Sequence, residues 1–428
     1  MSEFSSRPLN LLWVIDIDYS TRLHHGAMLR FINYSRRLVA ASHRVYFLVE
    51  ARSEDFRRER EFLGQLRAAD DITDFFECSY RPSPFKNRLA TLALLPSLAN
   101  LFLCSEQSLL VNESRELARR LEIDVCLFSN RRLFFLVSRL ARQLPCIVDF
   151  GDSYTLYRLR ELKVLWQNRN FRAIPASARE LIESFLKERY YSRRADANIA
   201  VSPVDKQTLD RINGAPRKNF TLLNGVAPAS SGDRPPKTPR RLIFSGNMNF
   251  PPNYESALWF IDHVFPLVLR SYPDAEFVVA GANPVPQLLN RASGRIRVTG
   301  FVQDMAAELA SSALYIAPMI MGGGFKNKVV EALINRTYVA ATPMAVEFLG
   351  PEAARQMLVA SSPESLAAHI VRFLSRPEEF EPRLANLHAL VAREFSWEHR
   401  TAELLDIVRR VLSSRPDHRL EAAPALSR

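Results

Sequence analysis

At 428 residues the chain exceeds what one ordinary hydrophobic core supports, so two domains are the default. Hydrophobic residues at 47% and charged residues at 24% describe a soluble globular protein and exclude fibrous and low-complexity classes. The net charge of +11 admits an anionic membrane surface, a nucleotide phosphate or nucleic acid as partner, beside the plainer account of solvated basic helix faces. Much of the excess is arginine in predicted helices, such as Arg115, Arg119, Arg120, Arg131, Arg132, Arg139 and Arg142. No zinc-finger, RNA-recognition or helix-turn-helix signature accompanies it, so no nucleic-acid partner is expected. Cys78, Cys104, Cys126 and Cys146 form no C-x-x-C pair and read as reduced thiols of a cytoplasmic protein. The opening M-S-E-F-S-S-R-P lacks a basic-then-apolar signal peptide.

In chain order, Leu11 to Ile17 reads as a buried parallel strand, followed by a polar loop with His24, His25 and Gly26. Ala27 to Ala41 has helical spacing, and Arg44 to Val49 is the next strand. In such a β-α-β opening, ligands collect beyond the C-terminal strand ends. Asp16 and Asp18 form a D-x-D, a spacing that can hold a metal or arise by chance. Residues 52–72 read as a charged helix. Residues 86–105 combine Lys86 and Arg88 with an uncharged run containing Pro96. Three readings stand open for it: a buried helix pair, a basic-flanked amphipathic patch on an anionic membrane, and a true span. Helices are predicted over Glu113 to Leu121 and Arg132 to Gln143, and strands over Val125 to Phe128 and Cys146 to Phe150. The last runs into D-F-G-D-S, where Asp149 and Asp152 either serve chemistry at a strand end or, with Ser153, cap the next helix. One or two long helices fill 155–195; Ala197 to Val201 is a strand, and Ser202-Pro203 starts a helix.

Residues 227–240 are rich in Pro, Ser and charge and read as a linker. Beyond it β-α alternation restarts, with strands over Arg241 to Ser245, Glu276 to Ala280, Ile296 to Val298, Ala313 to Pro318, Tyr338 to Ala340 and Met357 to Val359. The boundaries follow: a first Rossmann-like domain over 1–226, a second over 241–395, a final helix over 396–412, and a disordered tail over 413–428. The most informative stretch is Met321 to Ala341. Gly322, Gly323 and Gly324 precede a helical segment with Lys326, Lys328 and Glu331. Strand, glycine loop and helix start can cradle a phosphate through backbone N–H groups, or can simply form a tight turn. The loop is neither G-x-G-x-x-G nor G-x-x-x-x-G-K-[ST].

F-S-G-N-M-N-F-P-P-N at Phe244 to Asn253, V-V-A-G-A-N-P at Val278 to Pro284, V-T-G-F-V-Q-D at Val298 to Asp304 and A-P-M-I-M-G-G-G-F-K-N-K-V-V-E-A-L at Ala317 to Leu333 stand in fixed order. A-A-T-P at Ala340 to Pro343 and F-S-W at Phe395 to Trp397 follow. Together they resemble the family 4 (group 1) nucleotide-sugar-dependent glycosyltransferases, in the flavour of bacterial exopolysaccharide clusters. The resemblance implies an α/β GT-B fold: two doubly wound domains facing across a cleft, with the final helix over 396–412 crossing back to the first. It also implies roles. Glu331 matches the second glutamate of the family's E-x7-E motif, on the donor ribose. Gly322, Gly323, Gly324 and Phe325 match the loop facing diphosphate and sugar, with Lys328, and Lys326 beside it, neutralising the leaving diphosphate. Gly246 and Asn247 match the loop after the second domain's first strand, and Gly300, Phe301 and Val302 the contact to the base. His25 and Gly26 match the first-domain, acceptor-side loop, and Asp149 and Asp152 stand as first-domain catalytic candidates.

The chain departs from the pattern in three places. The first glutamate of E-x7-E is replaced by Gly323, an Arg–Lys pair is replaced by N-M-N-F-P-P-N, and a first-domain histidine by Asp149 or Gly151. The implied activity is retaining, metal-independent transfer from a UDP- or GDP-sugar to a glycan or lipid-linked acceptor, with no further cofactor, in a cytoplasmic protein that touches the inner membrane face. The competing expectations are a non-catalytic GT-B protein that binds nucleotide or glycan, and a GT-B epimerase or phosphorylase.

Overall fold

The computed structural model describes residues 7–16, 26–51, 56–79, 105–129, 131–167, 169–229 and 235–415. Asp18, His24, His25, Cys104, residues 86–104 and the tail from 416 lie outside the described residues. The chain divides into two compact units. The first comprises Met1–Leu159, Arg172–Leu223 and Arg400–Arg428, and the second Arg160–Phe171 and Asn224–His399.

In the first unit the strands are β1 (Asn10–Asp16), β2 (Arg44–Ala51), β3 (Asp74–Ser79), β4 (Val125–Phe128), β5 (Cys146–Gly151), β6 (Ala197–Ala200) and β7 (Asn219–Thr221). They pair in parallel, in the order β3-β2-β1-β4-β5-β6-β7. Apolar runs such as L-L-W-V-I and C-I-V-D-F suit strands covered on both faces. Trp13 is buried against Phe31, Tyr34 and Phe47, with ring centroids 5.4, 6.4 and 6.4 Å away. β3 and β7 were not foreseen. Both are edge strands, D-F-F-E-C-S and N-F-T, too short or too polar to show an apolar run. The helix expected over Arg132 to Gln143 is instead a 3₁₀ turn, Phe134–Leu136, continued by one short helix, Val137–Leu140. Phe134, Phe135, Leu136 and Val137 are all buried there. Consecutive burial of that kind leaves no amphipathic face for a longer helix.

In the second unit β8 (Thr238–Ser245), β9 (Glu276–Ala280), β10 (Ile296–Gly300), β11 (Ser312–Ala317), β12 (Tyr338–Ala341) and β13 (Leu358–Val359) form a parallel sheet ordered β10-β9-β8-β11-β12-β13. β8 starts inside the segment read as linker. Thr238 pairs with Ser312, the register then shifts, and Leu242 pairs with Leu314. Arg240 takes φ 60° in that irregular stretch, and β9 pairs only from Arg241 onward. Pro239 is tolerated because it lies before the doubly paired part of the strand. The strand order reverses between β8 and β11, so the loops leaving their C-terminal ends part there and open a crevice.

Candidate functional site

Around the second unit's switch point, three loops are tied together by backbone. The Gly246 N–H donates to the Ala280 carbonyl at 3.0 Å, and the Gly281 N–H to the Gly300 carbonyl at 3.0 Å. Gly281, at φ 141°, could carry no side chain: a Cβ would stand 1.8 Å from the Gly246 oxygen. Gly246, at φ 155°, faces Asn253 and Lys328, and its Cβ would stand 2.7 Å from Asn253 Nδ2 and 3.1 Å from Lys328 Nζ. Glycine is therefore required where β8's loop meets both β9's loop and the lysine. Asn247 is exposed, and its carbonyl accepts from Asn253 Nδ2 at 2.9 Å. After β10, Gly300 at φ 68° turns the chain so that Phe301 is 75% exposed, with Val302 half-buried behind it.

The glycine loop follows β11 and leads into the helix Asn327–Ile334. No side chain among the described residues caps that helix, so its first-turn N–H groups face the loop. Gly322 and Gly324 have φ 108° and 72°. Two cations brace the loop through its carbonyls. Lys326 is buried, and its ammonium donates to the carbonyls of Gly323 and, at 3.1 Å, Gly324. Arg160 donates to the Gly322 carbonyl at 2.8 Å and forms a two-pronged pair with Glu347 at 2.7 and 2.8 Å. Sequence reasoning missed Arg160. It lies in the helix Tyr154–Gln167, far back in the chain, and only its grouping with the second unit brings it to the loop. Phe325 packs on Phe348 and Phe395, with ring centroids 4.4 and 5.9 Å away.

Lys328 differs from Lys326. Its half-buried ammonium donates to Asn253 Oδ1 and lies 4.7 Å from the Phe244 ring centroid. Desolvation, reinforced by Lys326, pushes its pKa down to about 7, and Glu331 acts in the opposite sense. Glu331 stands three residues on, one helical turn away on the same face. Desolvation raises its pKa and Lys328 partly offsets the rise. Its carboxylate makes no hydrogen bond among the described residues. The second unit thus gathers Gly246, Asn247, Gly322 to Gly324, Lys328 and Glu331 at the β8–β11 parting, with Gly300 to Val302 two strands away. Asn253, joining Lys328 to the Asn247 backbone, is a second member that the sequence did not single out; it entered only as the last residue of the F-S-G-N-M-N-F-P-P-N run.

In the first unit, Asp149 is buried and paired with Arg30 at 2.8 Å, while its other oxygen accepts from the Gly151 N–H at 3.1 Å. Arg30 also donates to the Leu222 carbonyl at 3.0 Å. Asp152 is exposed. Ser153 caps the helix Tyr154–Gln167: its Oγ accepts from the Leu156 N–H at 3.3 Å and donates to Glu188 at 3.0 Å. The buried Glu188 carboxylate also accepts from the Tyr154 and Thr155 N–H groups at 2.6 and 3.3 Å. Gly26 opens the helix Gly26–Ala40. Among the described residues, no cluster of three or more His, Cys, Asp and Glu is arranged to hold a metal ion, and no helix is long and apolar enough to cross a membrane.

Residues 239–376 match the family model described as glycosyl transferases group 1. An uncharacterized 44.6 kDa protein in the cps region of Klebsiella pneumoniae is 25% identical over 141 residues, 31% of this chain and 36% of that protein. A phosphatidyl-myo-inositol mannosyltransferase of Mycolicibacterium smegmatis is 24% identical over 231 residues, 51% of this chain and 58% of the relative. The matched segments therefore span between about a third and somewhat over half of these relatives. Among solved structures, a glycosyltransferase from Rickettsia africae superposes with TM-score 0.62 at 14% identity, covering 95% of this chain and 99% of the other. Anabaena Alr3699/HepE, solved in complex with UDP, superposes with TM-score 0.64 at 14% identity, covering 95% and 100%.

Proposed function

We propose, for a chain that has the GT-B fold and carries a group 1 glycosyl transferase domain, that it moves a sugar from a nucleoside-diphosphate sugar to a glycan or lipid-linked acceptor in polysaccharide or glycolipid synthesis. The observation that carries the proposal is Lys328. One cation, held by Asn253 over the glycine of β8's loop, sits at the strand-order switch beside an uncapped helix start. That combination suits a diphosphate. UDP is the favoured nucleotide, because a protein of like fold was solved with it; GDP is the alternative.

In this reading the C1–O bond to the donor phosphate breaks, and a C1–O bond to the acceptor forms on the same face. The acceptor's proton passes to the leaving phosphate oxygen, so the anomeric configuration is retained. Charge developing on the diphosphate meets Lys328, the N–H groups of Gly322 to Gly324 and the first turn of Asn327–Ile334. Glu331, with no competing hydrogen bond among the described residues, accepts from the ribose hydroxyls. Phe301 stacks on the base. Arg160 and Lys326 hold the loop's carbonyls back so that its N–H groups face the phosphates. The proposal calls for no metal ion and no further cofactor. Nucleotide sugars are made in the cytoplasm, and the reaction is assigned there.

The test is a panel of UDP- and GDP-sugars scored for slow nucleoside diphosphate release, followed by transfer to lipid extract. Lys328→Ala and Glu331→Ala should abolish turnover while the fold, measured by circular dichroism, stays intact. Full activity in both variants, or binding without turnover of any donor, refutes the proposal.

A further inference from the structure

The segment Arg160–Phe171 carries, besides Arg160, a feature that the nucleotide site leaves unused. Trp166 is 68% exposed and Phe171 56% exposed, and their rings meet edge to face with centroids 5.6 Å apart. Two large rings packed on each other, yet open to water, form an apolar patch that no element among the described residues covers. The Asn170 N–H donates to the Leu165 carbonyl at 2.9 Å and the Arg169 N–H to the Trp166 carbonyl at 3.1 Å, closing the helix Tyr154–Gln167 with the bond pattern of a left-handed C-terminal cap. The left-handed residue of that cap is Arg169, at φ 55°. Glycine would sit there without strain, so an arginine costs about 1 kcal/mol of backbone energy in return for an exposed charge.

Lys163, one turn before Trp166, is exposed too, and neither Lys163 nor Arg169 has an ion-pair partner among the described residues. Arg172 follows directly in the chain. Three cations, Lys163, Arg169 and Arg172, thus flank the aromatic pair in the sequence. A second copy of the same tip would meet like charge. Indole and phenyl rings at the depth of lipid headgroups, with lysine and arginine reaching anionic phosphates, fit the chemistry of an anionic bilayer surface.

We infer that the exposed pair Trp166 and Phe171, with Lys163 and Arg169, is a docking surface for an anionic lipid bilayer. It gives the lipid-linked acceptor of the proposed function a place of encounter and rests on that reading for its purpose, but vesicle binding is measured separately from nucleotide binding.

The full-length chain is sedimented with phosphatidylcholine vesicles containing phosphatidylglycerol at about one lipid in three. Trp166→Ser/Phe171→Ser and Lys163→Gln/Arg169→Gln are run alongside, and tryptophan emission is recorded. The unaltered chain should bind at low salt with a blue shift. The aromatic variant should bind about tenfold more weakly and lose the shift. The charge variant should lose the preference for phosphatidylglycerol over pure phosphatidylcholine. Absence of vesicle binding by the unaltered chain, or equal binding by the aromatic variant, overturns the inference. So does binding of a single-stranded RNA oligonucleotide that the same variants abolish while vesicles are ignored. UDP binding by calorimetry should be unchanged in both variants. If UDP binding is absent throughout while vesicle binding follows the expected pattern, the proposed function fails and the docking surface stands.

Discussion

Lys328 sets a pH dependence for nucleotide binding that can be worked out in advance. In the free protein its pKa lies near 7, against an ordinary lysine value of 10.5, because the ammonium has lost water and faces Lys326. A bound diphosphate places negative charge beside it and raises that pKa. A group whose pKa rises on binding favours the complex at low pH, and the advantage disappears as pH climbs through the free-state value. Above pH 7 the protein must take up a proton to bind, so the Kd for UDP should weaken by up to about tenfold per pH unit until the bound-state pKa is reached, each unit being about 1.4 kcal/mol. The side chain keeps some contact with solvent, which makes tenfold an upper bound. Calorimetry at pH 8 in buffers of different ionisation enthalpy should register uptake of close to one proton per UDP. Lys328→Arg keeps a charge at every accessible pH and should flatten the profile. A Kd constant between pH 7 and 9, without proton uptake, refutes the assignment of Lys328 to the diphosphate. Without ligand, the same depressed pKa predicts a fold that gains stability as pH rises from about 7 towards the unfolded lysine value of about 10.4, readable as a rising denaturant midpoint.

Asn253→Ala removes the acceptor that fixes Lys328, and UDP should bind roughly tenfold more weakly, the cost of one lost charge-assisted hydrogen bond; an unchanged Kd would mean that the ammonium needs no such anchor. Arg160→Ala frees the Gly322 carbonyl and leaves Glu347 unpaired. It should raise the donor KM about tenfold with a small loss of thermal stability, and Arg160→Lys should not restore it, since a lysine cannot serve two carboxylate oxygens and a carbonyl in one plane. Gly281→Ala forces a Cβ onto the Gly246 oxygen and should cost about 3 kcal/mol in chemical denaturation; a loss below about 0.5 kcal/mol would show that the two loops separate freely. Breaking the buried Arg30–Asp149 pair by Asp149→Ala should cost about 3–5 kcal/mol, because it strands a buried guanidinium.

The doubly wound architecture was readable because buried parallel strands announce themselves as unbroken apolar runs. L-L-W-V-I, C-I-V-D-F and S-A-L-Y-I-A became β1, β5 and β11. β3, with acidic residues in its run, and β7, three residues long, carry no such signal and went unseen. Glycine spacing located the switch-point loops, since a φ of 108° or a 1.8 Å approach restricts the residue type itself. Pairwise geometry left no trace in the chain. Asn253 lies 75 positions from the lysine it holds, and Arg160 lies 162 positions from the glycine it braces. An asparagine beside two prolines and an arginine inside a basic helix look ordinary until the fold brings their partners to them.

The two lysines of the loop show why residue type alone underdetermines a site. Both Lys326 and Lys328 stand where a cation near a diphosphate is expected. Lys326 spends its ammonium on the carbonyls of Gly323 and Gly324, the inner side of the loop. Turning two carbonyls towards a buried cation directs the neighbouring N–H groups the other way, so in the proposed function Lys326 acts on a phosphate through the backbone. Lys328 rests on a neutral asparagine oxygen beside an aromatic face, and the downward shift of its pKa records how little compensates its charge. An incoming dianion supplies what is missing, and the free energy stored in that desolvation is returned on binding. Gly323 fits the same division. Where a glutamate would have put a second carboxylate beside the phosphates, this chain has a backbone carbonyl held by Lys326, and that leaves the positive field of Lys328 opposed only by Glu331 one turn further along the helix.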